Sequence, residues 1–303
     1  MHLTVKKRSG SALVEKLVLS KDEKSATVDD VCAAIHKQFP KYDPTRQRLT
    51  FGEKVVLERG NLLSKYSIKD GDTIVFKDLG LQVSWRTVFL AEYFGPIWIH
   101  PLFYFFPQIF YRGAPAPHST IQSVTLILTV LHFLKREYET VFVHRFSAET
   151  MPIMNLPKNC THYWLFSGLF LAYFTYQPGF NGGITKGVHS QVALYALIGL
   201  WAFSEVSNYL NHVTLMNLRP EGSKVRKIPH GYGFDLVSCP NYFFECLGWL
   251  AVSIINGSGA SWLFTAISTY TMYNWAVKKH LRYKKEFGPA YPRSRKAMFP
   301  FIA

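Results

Sequence analysis

Asn241, Tyr242 and Glu245 bring an amide, a phenol and a carboxylate into the first turn of an apolar segment. They belong to the stretch KIPHGYGFDLVSCPNYFFE (residues 227–245), which begins basic and then becomes apolar. An ionisable group in an apolar helix is costly unless it is paired or hydrated, so it is usually functional. Because residues four apart share a helix face, Asn241 and Glu245 lie on one side of this segment. The pattern predicts a polar chamber inside an otherwise apolar body.

Other polar groups interrupt the remaining apolar segments. Glu92 lies within the first segment, and Glu205, Asn208 and His212 follow one face of another. The last segment carries a further set towards its end: Tyr270, Tyr273, Asn274, Lys278, Lys279, His280, Arg282 and Tyr283. We expect these groups to converge at one depth and to line one shared chamber.

Each of these residues also has a simpler explanation. Tyr283 can anchor an interface as aromatic residues do, and Asn241 can cap the helix that it opens. Glu205 can extend its carboxylate out of the apolar layer, and Lys278 and Lys279 can be flanking charges. The functional interpretation depends on the number of polar groups gathered at one level.

The common nucleotide-binding loops are missing from the sequence. There is no GxGxxG after a strand and no Walker A motif, so a nucleotide would need a polar cavity between helices, with Arg and Lys on its phosphates. HExxH, GxSxG and histidine-rich boxes are also missing, and the 4 cysteines have no metal-binding spacing. We therefore predict no metal site.

The net charge of +14 restricts the partners. A basic protein binds nucleic acid, an anionic surface or a phosphorylated ligand. Many of the basic residues lie in short loops between apolar segments, which argues against nucleic acid.

Apolar and aromatic residues are concentrated after residue 84, and aromatics make up 16% of the chain. Since a membrane span needs about 20 apolar residues, we predict a multi-pass α-helical membrane protein with about six spans in residues 84–303. The candidate spans are 84–110, 119–136, 160–177, 189–210, 240–257 and 260–279. The first contains Gly95-Pro96 and Pro101, which predict a kink.

The distribution of Lys and Arg predicts the orientation of these spans. The positive charges cluster in residues 135–159 and 212–239 and in the tail from 278, whereas the alternate loops have few. By the positive-inside rule both termini face the cytosol, and the polar chamber opens there. The N-terminus, MHLTVKKRSG, has no apolar region typical of a cleaved signal peptide.

Residues 1–78 differ from the rest and predict a separate α+β domain. MHLTVKKR and ALVEKLVLS alternate as strands do, and Thr27 to Asp30 form the capping-box pattern of a helix start. RLTFGEKVVL and YSIKDGDTIVFKDLG supply further strands. The order ββαββ resembles the ubiquitin-like β-grasp fold. Since the chain continues beyond it, we expect a docking or stabilising role.

Two long stretches carry a resemblance to a known family. NLRPEGSKVRKIPHGYGFDLVSCPNYFFE and HLRYKKEFGPAYPRSRKAMFPFI resemble the C-terminal catalytic region of the steroid 5-alpha-reductases. Within that family, the N-terminal domain together with KREYETVFVHRFSAETMP is similar to the very-long-chain trans-2-enoyl-CoA reductases. The resemblance covers essentially the whole chain. It implies NADPH as the cofactor, an endoplasmic reticulum membrane location and the last step of fatty-acid elongation.

The resemblance also implies residue roles. Residues expected on the phosphates of NADPH are Arg219 and Lys227. Asn208, Asn241 and Glu245 would contact its nicotinamide half or ribose, and His280 and Tyr283 would close the cavity.

Tyr242 is the expected acid, since it occupies the Tyr of the PNY sequence of the enoyl reductases. Glu92 corresponds to a substrate-facing Glu of the steroid enzymes. Ala148 stands near a position where the steroid enzymes carry an Asn, so Arg145 becomes the nearest candidate for a cofactor contact in that loop.

The implied reaction saturates the C2–C3 double bond of a very-long-chain trans-2-enoyl-CoA. A phenol has an ordinary pKa of about 10, so Tyr242 is protonated at pH 7. It could protonate C2, stabilise the developing charge on the thioester oxygen as in an oxyanion hole, or both. Basic loops suit the phosphates of CoA and NADPH. The acyl chain, membrane lipid and other elongation-cycle enzymes are the expected partners.

Three alternatives remain open. One is a sterol or polyprenol double-bond reductase of the same superfamily. Another is an S-adenosylmethionine-dependent methyltransferase with a similar membrane architecture. The third is a non-enzymatic adaptor, although an anchor needs no buried carboxylates.

Overall fold

The computed structural model describes residues 1–52, 55–113, 116–146, 149–183, 190–218 and 226–302. Contacts divide the chain into two compact units. The first comprises Met1–Ser84 and Ala148–Leu156, and the second comprises Trp85–Ser147 and Pro157–Ala303.

A mixed sheet forms the first unit. Its strands are β1 (His2–Lys7), β2 (Ala12–Val18), β3 (Gln47–Phe51), β4 (Val55–Val56) and β5 (Thr73–Asp78), in the spatial order β2-β1-β5-β3-β4. β1 and β5 run parallel, and the other neighbours are antiparallel. Side chains alternate along each strand, so Leu3 and Val5 of β1 and Ile74 and Phe76 of β5 face one core.

Helix α1 (Val28–Gln38) covers this core. The Thr27 hydroxyl accepts a hydrogen bond from the Asp30 N–H, and the Asp30 carboxylate accepts one from the Thr27 N–H. The predicted capping box is therefore confirmed, and Val28, Val31 and Ile35 form the buried face. A short antiparallel pair, β6 (Gln82–Ser84) and β7 (Thr150–Pro152), belongs to the same unit. The assignment of this unit to the ubiquitin-like fold stays a prediction.

Helices build the second unit. They are α2 (Trp85–Phe105), α3 (Pro107–Phe110), α4 (Thr120–Phe142), α5 (Leu156–Cys160), a π-helical segment (Thr161–Phe170), α6 (Leu171–Thr175), α7 (Gln191–Asn217), α8 (Pro240–Asn256) and α9 (Gly259–Phe287). Helix α2 runs through Pro96 and Pro101 without ending. Helix α8 ends at Gly257, whose φ of 70° is a left-handed conformation that favours glycine.

The core of the second unit lies between α2, α4, α8 and α9. Tyr93, Phe133, Trp249 and Phe264 pack there, and the Trp249 and Phe264 rings meet edge to face with centroids 4.6 Å apart. α7 packs closely against α8 at Gly248, where a Cβ would lie 3.4 Å from the Glu205 carboxylate, in ordinary van der Waals contact. This close approach brings the polar residues of α4, α7 and α8 together.

The prediction of a multi-pass membrane protein is wrong. A helix occurs at each of the six segments named above, but in the part of the chain that the structure describes none is long and apolar enough to cross a membrane. Helix α8 has 17 residues, fewer than the roughly 20 that a span requires. Helix α4 carries Lys135, Arg136 and Glu139 within its length, and α9 ends in a strongly basic turn.

Candidate active site

A cavity of about 350 Å³ opens in the second unit, between the ends of α4, α7, α8 and α9. Six basic side chains lie in its lining: Arg136, Arg145, Arg226, Lys227, Lys279 and Arg282. Its inner wall includes His212, Asn241, Tyr242 and Tyr283. Cations concentrated in one concave site attract anionic ligands such as phosphates.

Local structure explains how these side chains reach the cavity. Pro240 occupies the first position of α8, where proline is favoured, and this places Asn241 and Tyr242 in the first turn. On α9, Lys279, Arg282 and Tyr283 are three and four residues apart and therefore share one face.

An ion-pair network lies directly behind the cavity. His132 of α4 joins two carboxylates, because its Nδ1 lies 2.8 Å from Glu205 Oε1 and its Nε2 lies 3.2 Å from Glu245 Oε1. Burial alone would lower the pKa of His132, but Glu205 and Glu245 outweigh it and raise that pKa to about 9. His132 is therefore a cation at neutral pH. The pKa of Glu245 lies below its ordinary value, because His132 and Arg136 outweigh the effect of burial.

The other half of the network centres on Glu139, which is fully buried. The Lys135 ammonium lies 2.9 Å from Glu205 and 3.5 Å from Glu139, and the Arg136 guanidinium pairs with Glu139. Burial would raise the pKa of Glu139, but Arg136 and His212 hold it well below its usual range. Arg136 also donates to the Tyr93 hydroxyl at 2.9 Å.

The charges within this network balance. Three cations, His132, Lys135 and Arg136, oppose three carboxylates, which are Glu139, Glu205 and Glu245. Among the outer cations, Arg226 pairs with Glu286 at 3.0 Å. The network therefore leaves the positive charge of Lys227, Lys279 and Arg282 to act on whatever enters the cavity.

Asn208 connects the network to the cavity wall. Its amide nitrogen donates to the Asn241 carbonyl at 2.8 Å and to Glu245 Oε2 at 3.0 Å, and its amide oxygen accepts from Lys135 at 2.6 Å. Asn241 is 5% exposed, and its side-chain oxygen has no hydrogen-bond partner in the described part of the chain. A buried polar atom is rarely left without a partner, so this unsatisfied acceptor is an unusual feature of the site.

Tyr242 lies where the cavity meets an apolar cluster. It lines the cavity and also packs against an apolar cluster that includes Cys239, Met272 and Ala276. Its ring centroid is 6.3 Å from that of Trp275 on α9. Burial raises the pKa of the phenol above its ordinary value, so it is protonated at pH 7.

The structure brings Arg145, Lys227, Asn241, Tyr242 and Tyr283 together at the cavity. Asn208 and Glu245 lie one contact behind Asn241. Their roles towards a cofactor stay predictions.

Two other predicted residues, Glu92 and His280, do not line the described cavity. Glu92 is 3% exposed and hydrogen-bonds the Asn159 side chain, and burial raises its pKa to about 7. His280 faces Ser238, with Nδ1 and Oγ 2.6 Å apart, instead of closing the cavity. Arg219 lies outside the described residues, as does Ala148.

Sequence reasoning assigned no role to Arg136, His132 or Lys135, and none to His144 at the cavity wall. The signal was present on α4, because His132, Lys135, Arg136 and Glu139 recur every three or four residues and so face α7 and α8 together. Lys279 and Arg282 were noted only as part of a polar set.

Glu139, His144 and His212 place one donor atom each within 4.8 Å of one another. The Arg136 guanidinium already neutralises Glu139 and lies 3.3 Å from His212 Nδ1. A metal ion there would meet a cation at contact distance, so the geometry favours an ion pair over a metal centre.

Comparisons with known proteins find both a family match to the C-terminal half and relatives that match most of the chain. Residues 149–303 match the family described as 3-oxo-5-alpha-steroid 4-dehydrogenase. A very-long-chain enoyl-CoA reductase of Dictyostelium discoideum is 47% identical over 242 residues, which is 80% of this chain and 78% of the relative. Trans-2,3-enoyl-CoA reductase-like proteins of Mus musculus and Homo sapiens are 31% and 32% identical over 94% of this chain, covering 80% and 79% of those proteins.

Proposed function

Because the chain belongs to the 3-oxo-5-alpha-steroid 4-dehydrogenase family, we propose that it is an oxidoreductase that reduces the C2–C3 double bond of an enoyl-CoA. Relatives with enoyl-CoA reductase names match three quarters or more of the chain, including one at 47% identity. We further propose a very-long-chain acyl group, as in the name of the Dictyostelium protein, and the last step of fatty-acid elongation.

The location of Tyr242 carries the proposal. Its phenol stands at the boundary between a cationic cavity, which suits phosphates, and an apolar cluster, which suits an acyl chain. An enoyl-CoA has this same division, since its reactive carbons join a phosphorylated carrier to a hydrocarbon tail.

We propose NADPH as the reductant. The residues present fit it, because the cavity offers several cations for phosphates and the side-chain oxygen of Asn241 is a buried acceptor without a partner among the described residues. Lys227, Arg145 and Arg282 would hold the phosphates, and Asn241 would accept from the carboxamide of the nicotinamide. When bound, the dinucleotide supplies the hydride for C3.

The protein itself supplies the proton for C2 and holds the proton donor in position. Tyr242 donates its proton to C2, since it is the phenol at the boundary of the two environments and is protonated at pH 7. Asn208 of α7 holds the start of α8 through the Asn241 carbonyl and the Glu245 carboxylate, so Tyr242 is held in place before the substrate arrives.

A direct comparison of substrates tests the proposal. Purified protein with NADPH is assayed against a long-chain trans-2-enoyl-CoA and against a 4-ene-3-ketosteroid, with cofactor oxidation and product mass both measured. We expect the C2–C3 double bond of the enoyl-CoA to be reduced and the double bond of the steroid to remain. Reduction of the steroid alone would assign the chain to the other branch of its family.

The location in the endoplasmic reticulum stays a prediction from the resemblance, and so do contacts with lipid and with other elongation enzymes. Binding of the dinucleotide without turnover of any enoyl-CoA would favour a sterol or polyprenol substrate.

A further inference from the structure

One face of α9 packs along Tyr242. Met272 and Ala276 belong to the apolar cluster around the phenol ring, and Trp275 places its ring centroid 6.3 Å from that of Tyr242. Lys279 follows Trp275 by four residues and therefore lies one turn further along the same face. Lys279 and Tyr242 both line the cavity.

The surroundings of Lys279 are unusual for a lysine. In the part of the chain that the structure describes, its ammonium makes no ion pair with a carboxylate; the carboxylates of the network behind the cavity pair with cations of α4 instead. Its neighbours are weak acids: Tyr283, which it hydrogen-bonds, Tyr242 and Cys239. The ammonium also lies 5.7 Å from the centroid of the Tyr283 ring.

We propose that Lys279 is a positioning residue for Tyr242, whose ammonium stabilises the phenolate that remains after the phenol has given its proton to the substrate. This inference rests on the proposed enoyl-CoA reduction. It also gives Lys279 a role different from that of Lys227, Arg145 and Arg282, which would hold the phosphates.

The step balances as follows. The O–H bond of Tyr242 breaks and a C2–H bond forms, while the enolate electron pair of the thioester becomes that bond. The electrons come from the NADPH that reduced C3. Tyr242 is left as a phenolate beside Lys279, and a proton from water restores the phenol before the next turnover. Stabilising the charge as it develops lowers the barrier, because Coulomb attraction at short range is strong in a partly buried site.

The charges around the phenol agree with this role. Burial raises the pKa of Tyr242, while Lys279 of α9 and Arg136 of α4 oppose that rise; Cys239 and Glu245 of α8 act in the other direction. Burial would lower the pKa of Lys279, but its acidic neighbours outweigh it and keep the ammonium charged. Among the neighbouring cations, Lys279 opposes the rise in the pKa of Tyr242 most strongly.

A double-mutant cycle tests the proposal. We expect Lys279→Met to lower kcat with enoyl-CoA about tenfold or more, while NADPH affinity changes little. In a Tyr242→Phe background the same change should have almost no further effect on kcat, since no phenolate forms. Lys279→Arg should restore most of the activity. Lys278→Met, at an exposed neighbouring lysine, is the matched control and should behave as the wild type.

The pH profile gives an independent readout. Loss of Lys279 should move the alkaline limb of kcat to higher pH by about one unit, because a phenol without a neighbouring cation ionises less readily. If Lys279→Met does not fold by circular dichroism, Lys279→Gln is judged by the same criteria.

Three outcomes would overturn the proposal: equal losses of kcat in both backgrounds, an unchanged alkaline limb, or weakened NADPH binding with unchanged kcat, which would make Lys279 a phosphate ligand. A wild-type protein that reduces no enoyl-CoA would instead refute the proposed function on which it rests.

Discussion

At the scale of single residues, burial has different consequences for the phenol of Tyr242 and the carboxyl group of Glu92. Burial raises the pKa of both groups. For a phenol this keeps a proton in place at pH 7, where it is useful to a reductase. For a carboxyl group it makes the charged form costly, so Glu92 is poised to titrate near neutrality and hydrogen-bonds Asn159.

The pH dependence of stability tests the environment of Glu92. Its pKa is about 7 in the folded protein and lower in the unfolded chain, so the folded state keeps the proton longer. The stability contributed by this proton falls as pH rises from about 4.5 through about 7. We therefore expect Glu92→Gln to stabilise the protein more at pH 8 than at pH 5, by up to about 3 kcal/mol.

Thermal unfolding of wild type and Glu92→Gln at both pH values measures the difference. Glu15→Gln, at an exposed carboxylate of β2, is the control for replacing a carboxylate with an amide. A Glu92→Gln effect that is equal at both pH values would show that Glu92 is not held protonated by burial.

At the scale of elements, α4, α7 and α8 are fastened by the network around His132. The imidazolium joins Glu205 of α7 to Glu245 of α8, and Asn208 ties the same two helices through the Asn241 carbonyl. Removing one member of a buried charge network is strongly destabilising, because the remaining charges lose their partner.

The sign of the His132 contribution gives a second prediction. Its pKa is raised to about 9, above that of an unfolded chain, so its stabilising charge is fully present below about pH 6.5 and is lost as pH rises through about 9. We expect His132→Gln to destabilise the protein by about 3 kcal/mol more at pH 6 than at pH 10.

Denaturant unfolding at the two pH values, with the exposed His230→Gln as the control, provides the measurement. If His132→Gln loses the same amount of stability at both pH values, His132 is neutral in the folded protein.

The sequence predicted where the helices lie but not what surrounds them. Apolar runs and prolines placed α2, α4, α7, α8 and α9 correctly along the chain. Those runs were also the reason for the wrong prediction of membrane spans, because the length of a run says little about the charges that α4 buries.

The candidate site was predictable only in part, for a physical reason. Asn241 and Tyr242 could be found because a polar residue inside an apolar segment is locally unusual. The role of Arg136 depends on Glu139, Tyr93 and His212, two of which lie on other helices, and no local pattern encodes such contacts. The local pattern also fails for His280, because its side chain hydrogen-bonds Ser238, a contact that the sequence does not reveal.

At the scale of the whole molecule, the net charge of +14 is expressed locally as the cationic wall of the cavity. The buried network is electrically balanced, so the outer cations dominate the field that a ligand experiences. Salt screens such a field over a distance of about 10 Å at 0.1 M ionic strength.

Affinity for NADPH should therefore fall as salt rises. Between about 0.05 M and about 0.5 M salt we expect the Kd, measured by fluorescence titration, to rise about tenfold. Reduced nicotinamide mononucleotide, which carries fewer phosphate charges, is the control, and its Kd should change less with salt. Equal salt dependence for the two ligands would show that the outer cations do not hold the phosphates.

The central claim is that Tyr242 supplies the proton in the reduction of an enoyl-CoA, and a single-turnover measurement of Tyr242→Phe tests it most directly. With NADPH and a long-chain trans-2-enoyl-CoA bound, the rate of cofactor oxidation should fall about a hundredfold or more, while the Kd for NADPH stays within about threefold of wild type. A Tyr242→Phe protein that turns over at the wild-type rate would contradict the account.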